Sequence, residues 1–99
     1  MPSAKFETES AIICALASEE RVHITPHALN AAADDDVARI DLEDMLCECT
    51  VIRRDESHGE EAWRVEGDDF DGRTIVAIVV PYETAKPPYL KVITCWVKK

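Results

Sequence analysis

Arg73-Thr74-Ile75-Val76-Ala77-Ile78-Val79-Val80-Pro81-Tyr82 is rich in β-branched residues and apolar on both faces. A strand of that kind is buried on both sides and lies inside a sheet. Pro81, which cannot donate to a ladder, marks its end. Such a strand needs neighbours. Upstream, Ala62 to Gly67 alternates, with Trp63 and Val65 on one face and Arg64 and Glu66 on the other. Before it, Thr50 to Arg54 is a strand centred on Val51 and Ile52. Downstream, Tyr89 to Val97 carries Leu90, Val92, Ile93 and Trp96. The first turn runs from Asp55 to Glu60. The second, Asp68 to Gly72, has Asp71-Gly72 as its hairpin signal. A Pro-containing loop, Glu83 to Pro88, precedes the last strand. Connections this short imply an antiparallel meander.

The N-terminal half has helical period instead. Phe6 to about Ala17 places Phe6, Ile13 and Ala17 on one side, with Ile12 and Leu16 beside them. Val22-His23-Ile24 reads as a short extended lead-in to a second helix, Pro26 to roughly Ala33. Thr25 is its N-cap and Pro26 its first residue. Ile24 and Leu29 are spaced as a hydrophobic staple. Asp34-Asp35-Asp36 lies at the wrong end of that helix dipole, so the helix should loosen there into a solvated linker. Asp41 is read as the N-cap of a third helix containing Leu42, Met45, Leu46 and Cys49. The sum is one α+β domain spanning 1–99, with N-terminal helices packed on a four-stranded antiparallel sheet.

Composition bounds the function. The 99 residues are enough for one core, and the net charge is −9. A nucleic-acid binder usually shows a basic footprint, and this chain shows none overall. The charge is uneven, however. Residues 1–50 hold three Lys/Arg against eleven Asp/Glu, and residues 51–99 hold eight against nine. No apolar run is long enough for a membrane span, and the N-terminus lacks a secretory pattern. The expectation is a cytoplasmic protein with Cys14, Cys47, Cys49 and Cys95 reduced. Cys47-Glu48-Cys49 has no second ligand pair at zinc spacing, and Cys14, Cys95 and His58 would have to converge by folding. No metal and no cofactor are expected, and no Gly-rich phosphate loop is present.

Two groups of residues invite a site. His27 sits in the first turn of the second helix, facing free N–H groups, where an imidazole can donate and accept. The alternative is a histidine that only packs or caps. Arg53, Arg54, Arg64 and Arg73 are spread around the first three strands, and a meander can bring such residues onto one open sheet face. There they could hold phosphate bidentately or merely neutralise nearby acids.

Three segments together carry a family resemblance. They are Ile24-Thr25-Pro26-His27-Ala28, then Ile40-Asp41-Leu42-Glu43-Asp44-Met45, then Gly72-Arg73-Thr74-Ile75-Val76 with Val92-Ile93-Thr94. Over residues 22–97 the chain resembles the bacterial domain of unknown function 4258, related to the RelE/ParE-like toxin fold. Residues 1–21 form an extra N-terminal helix outside the match. The resemblance implies two helices followed by a curved antiparallel sheet, and a metal-independent endoribonuclease or a degenerate toxin-like relative. His27 matches the family's histidine and Arg73 its arginine after the Asp-Gly turn. Two arginines that family members carry near the second and third helices are not both present. Asn30-Ala31-Ala32-Ala33 fills one stretch, and Arg39 alone stands in the other.

If the chain is an enzyme, His27 is the general acid or base, and Arg64 and Arg73 stabilise developing charge. His23 and Arg54 are the added binding candidates. The partners then expected are RNA or the ribosome and an antitoxin-like protein. The competing reading is a non-catalytic protein-interaction module, homodimeric through the stripe Phe6, Ile12, Ile13 and Leu16.

Overall fold

The computed structural model describes residues 6–55, 61–69 and 71–98. The expected fraying of 1–5, most of the first turn with His58, and Phe70 of the second turn lie outside them. In chain order the elements are α1 (Glu7–Ser18), β1 (Val22–Ile24), α2 (Pro26–Asp34), α3 (Arg39–Cys47), β2 (Thr50–Asp55), β3 (Ala62–Asp68), β4 (Thr74–Tyr82) and β5 (Tyr89–Val97).

The α+β class holds, but the sheet has five strands rather than four, ordered β1-β5-β4-β3-β2, and it is mixed. β2 to β5 form the antiparallel meander, with β4 central. The correction is β1. Val22-His23-Ile24 pairs parallel with Leu90-Lys91-Val92. Three residues show little period of their own, and their partner is distant in sequence, so the pattern reads as a lead-in. Leu90 N–H donates to Arg21 O at 2.7 Å and Thr25 N–H to Val92 O at 3.2 Å, which extends the pairing at both ends.

The three helices cover one face of the sheet. Ile13, Leu16, Ala28, Ala32, Leu42 and Leu46 share a core with Val51, Val65, Ala77, Val79 and Val92. The α1 stripe is accommodated within the chain. Ile13 is fully buried, Ile12 packs against the core, and Phe6 meets Trp63 edge-on at 5.5 Å. The stripe therefore does not itself require a second copy. Gly67 lets α3 approach β3, since a Cβ there would lie 2.7 Å from Met45 Cγ.

Helix ends decide where the loops go. Thr25 Oγ1 accepts from Ala28 N–H at 3.1 Å, as a cap should, and donates to Ile93 O at 3.1 Å, tying α2 to β5. Leu29 stays exposed, so the staple does not close on the core. The aspartate run is not a loose linker. Asp36 takes a left-handed conformation (φ 58°), and the N–H groups of Asp36 and Val37 return to Ala33 O and Ala32 O. That closes α2 in a Schellman motif without glycine. α1 ends the same way at Glu20 (φ 61°), with Arg21 N–H on Leu16 O. α3 begins two residues before the expected Asp41, with Ala38 as an N-cap that makes no side-chain cap. Asp41 instead lies in its first turn, and Arg39 pairs with Glu43 one turn on.

Candidate functional site

The sequence candidates fall in three places. His27 is exposed at the start of α2, on the helix-bearing side of the sheet, and its ring bonds to no described residue. Arg73 lies at the other end of α2. A nine-residue helix separates its two ends by about 12 Å. The Arg73 guanidinium is engaged within the chain. Nε donates to Asp69 Oδ2 at 2.7 Å, and the terminal nitrogens donate to Asp35 O and Asp36 O, each at 3.2 Å. It clamps the β3–β4 turn onto the C-terminus of α2. Asp69 Oδ1 also accepts from the backbone N–H groups of Asp71 and Arg73. Desolvation works against its charged form, but these hydrogen bonds from Arg73 and Asp71 prevail and hold the carboxyl below its usual range. Asp35 adds to the clamp by accepting from Val97 N–H at 2.8 Å.

Arg64 is on the opposite side of the sheet. It pairs with Ile78, which pairs with Thr94, and Ile78 belongs to a second apolar cluster that no described helix covers. Residues directly opposite in an antiparallel ladder share a face, so the register gives the composition of this helix-free face. One row is Thr94, Ile78, Arg64 and Arg53; the next is Trp96, Val76, Glu66 and Thr50. His23 and Lys91 lie on the same face, in register with Val80. The three candidates His27, Arg64 and Arg73 are therefore not brought around one point.

Arg53, rather than Arg54, faces this surface. A bulge between Val51 and Arg53 shifts the β2 register by one residue. Arg53 then stands across from Arg64, while Arg54 stands across from Trp63 on the helix side. The Arg64 guanidinium lies 5.3 Å from the centre of the Trp96 ring. Its Nε is buried and makes no hydrogen bond to a described residue; Glu66 Oε2 is 4.0 Å away. Glu66 is shared, since Lys98 Nζ donates to its other oxygen at 3.3 Å. Sequence reading does not single out Trp96, and it names Arg53 only within the group of four strand arginines, taking Arg54 as the binding candidate. The alternation of β5 places Trp96 on one face with Thr94, but only the bulge selects Arg53.

Cys14 lies in α1, Cys47 at the end of α3, Cys49 just before β2 and Cys95 in β5, all in or against the core beneath the helices. Cys14 donates to Cys49 O at 3.4 Å, and Cys95 to Ala28 O at 3.6 Å. Burial pushes the Cys49 and Cys14 thiols up, and burial with the charge of Asp35 pushes Cys95 up to about 11. Thiols so shifted are poor nucleophiles near neutrality. Among the described residues no group of three or more His, Cys, Asp or Glu is arranged to hold a metal ion. No helix there is long and apolar enough to cross a membrane.

A family model described as Domain of unknown function (DUF4258) matches residues 24–97. No curated protein and no solved structure matches the chain.

Proposed function

The chain belongs to the DUF4258 family, and from that premise we propose that it is a single-stranded RNA-binding domain, a non-cleaving relative of the RelE/ParE-like toxins. The observation that carries the reading is Arg53 directly across from Arg64 on the helix-free sheet face, with Arg64 resting on Trp96. Like charges directly opposite in a ladder destabilise a sheet. A phosphate bridging the two guanidinium groups relieves that repulsion and uses the bidentate geometry that arginine offers. Unstacked RNA bases are held on aromatic rings and guanidinium planes, and Arg64 over Trp96 presents such a plane.

The net charge of −9 is unevenly placed, because most of the excess acid belongs to the helical half of the chain. His27 has no part in the reading. A general base must come within hydrogen-bond reach of the proton it takes, and His27 lies on the other side of the sheet.

The test is fluorescence anisotropy with a labelled, unstructured RNA oligonucleotide across a salt series. Arg53→Ala and Arg64→Ala should each weaken binding, and each should flatten the salt slope by about 0.7, the value per phosphate contact for single strands. The RNA should stay intact with the native chain and with His27→Ala alike. Absence of binding at low salt would sink the proposal. Cleavage that disappears in His27→Ala would replace it with the ribonuclease reading.

A further inference from the structure

Two thiols that the RNA-binding reading leaves unused meet beneath the helices. Cys14 is half-buried on α1, and Cys49, in the joint between α3 and β2, is only 4% exposed. The Cys14 thiol donates to Cys49 O at 3.4 Å. Burial raises both thiols, and a hydrogen bond between the two side chains then lowers Cys14 and raises Cys49. The two sulfurs are therefore within reach of each other, and Cys14 is the more readily ionised. Cys47 raises both by its charge, but the hydrogen bonds of Cys14 go to Cys49. Beside the pair, Ser10 Oγ accepts from Val51 N–H at 3.0 Å. Helix α1 thus already holds a backbone group of β2, the edge strand at this end of the sheet.

We propose that Cys14 and Cys49 are an oxidisable pair, which a small-molecule disulfide such as oxidised glutathione joins into an intramolecular bond stapling α1 to the start of β2. The steps are those of thiol–disulfide exchange. Cys14, the more exposed sulfur, loses its proton to solvent and attacks one sulfur of the small disulfide. A mixed disulfide forms on Cys14, and one small thiolate leaves. Cys49 then loses its proton and attacks the Cys14 sulfur. The protein disulfide forms, and the second small thiolate leaves. The two protein thiols lose two electrons and two protons, and the small disulfide takes them up as two thiols. Cys49 is too enclosed to meet the oxidant first, so burial fixes the order. Thiols raised in this way react slowly near neutrality. The bond spans 35 positions of chain, and closing a loop stabilises the fold chiefly by constraining the unfolded state.

The test is to incubate the folded native chain with oxidised glutathione at about pH 8.5, where raised thiols still supply some thiolate. Its intact mass should fall by that of two hydrogens, and a reductant should restore it. Peptide mapping should join the Cys14 segment to the Cys49 segment, and the oxidised chain should melt at a higher temperature than the reduced one. Cys47→Ser should form the bond as the native chain does. Cys49→Ser should stop at a glutathione adduct on Cys14, and Cys14→Ser should leave Cys49 unmodified. A native chain that keeps its four thiols free, a bond that is lost in Cys47→Ser, or a glutathione adduct that persists on Cys14 of the native chain would each overturn the pairing. A bond that forms but lowers the melting temperature would overturn the staple, because the fold would then have to distort to admit it. None of these readouts depends on RNA binding.

Discussion

Arg73 and Asp69 show how a residue chosen for chemistry can carry architecture. An arginine after an Asp-Gly turn looks free to reach a ligand. In the fold its three hydrogen-bonded nitrogens meet Asp69 and the carbonyls of Asp35 and Asp36. Those carbonyls are available because a left-handed Asp36 closes α2. The consequence can be measured through pH. The Asp69 carboxyl is held below its ordinary value of 3.8, so the unfolded chain binds a proton more readily than the folded one. The stabilisation is then fully present above that value and is lost as pH falls below it, through the folded value. Asp69→Asn should lower the denaturant midpoint at neutral pH. The difference from the native chain should shrink as the pH is taken below about 4. A difference that stays constant through that range would mean that Asp69 charge contributes nothing to the clamp. Arg53 gives the opposite lesson. Its neighbour Arg54 looked equivalent in sequence, and a single bulge, visible only through cross-strand pairing, separates the two onto opposite faces.

At the scale of elements, long periodic segments were legible and short or tertiary-dependent ones were not. The both-faces-apolar stretch from Thr74 to Tyr82 is the central strand, and Thr25-Pro26 does start α2 with the expected cap. β1 escaped because three residues give no usable period and the pairing partner is β5. The caps at Glu20 and Asp36 escaped because left-handed caps are usually glycine. The α1 stripe was legible as apolar, but its destination was not. A stripe on a first helix can face a second copy or its own sheet, and here Ile13 is fully buried within the chain. Ile13→Asp should therefore unfold the protein rather than dissociate a dimer, since an unpaired buried charge costs on the order of 3–5 kcal/mol. Thermal melts and sedimentation together check this. A folded variant that merely sediments as a smaller species than the native chain would return α1 to an intermolecular role.

At the scale of the whole molecule, charge is divided between two layers. The helices and their connections hold most of the excess acid, while Arg53, Arg64, Lys91 and Lys98 line the helix-free face with Glu66 between two of them. Whether the acid layer opposes an anionic ligand on the far face depends on distance against screening. Packed layers lie about 10 Å apart. The Debye length is about 8 Å at physiological salt and about 30 Å at 0.01 M. The whole molecule measures 33 × 32 × 27 Å. In physiological salt the acid layer is therefore screened from the opposite face, and in dilute salt it acts across the entire body. Replacing the exposed carboxylates Glu7, Asp34 and Asp44 with their amides should leave RNA affinity within about twofold at the higher salt, yet raise it clearly at the lower one. The same triple variant should bind as the native chain does to an uncharged ligand of similar size. A rise of equal size at both salts would mean that these carboxylates touch the RNA directly. That would move the binding surface from the sheet to the helices, because only contact distances escape screening.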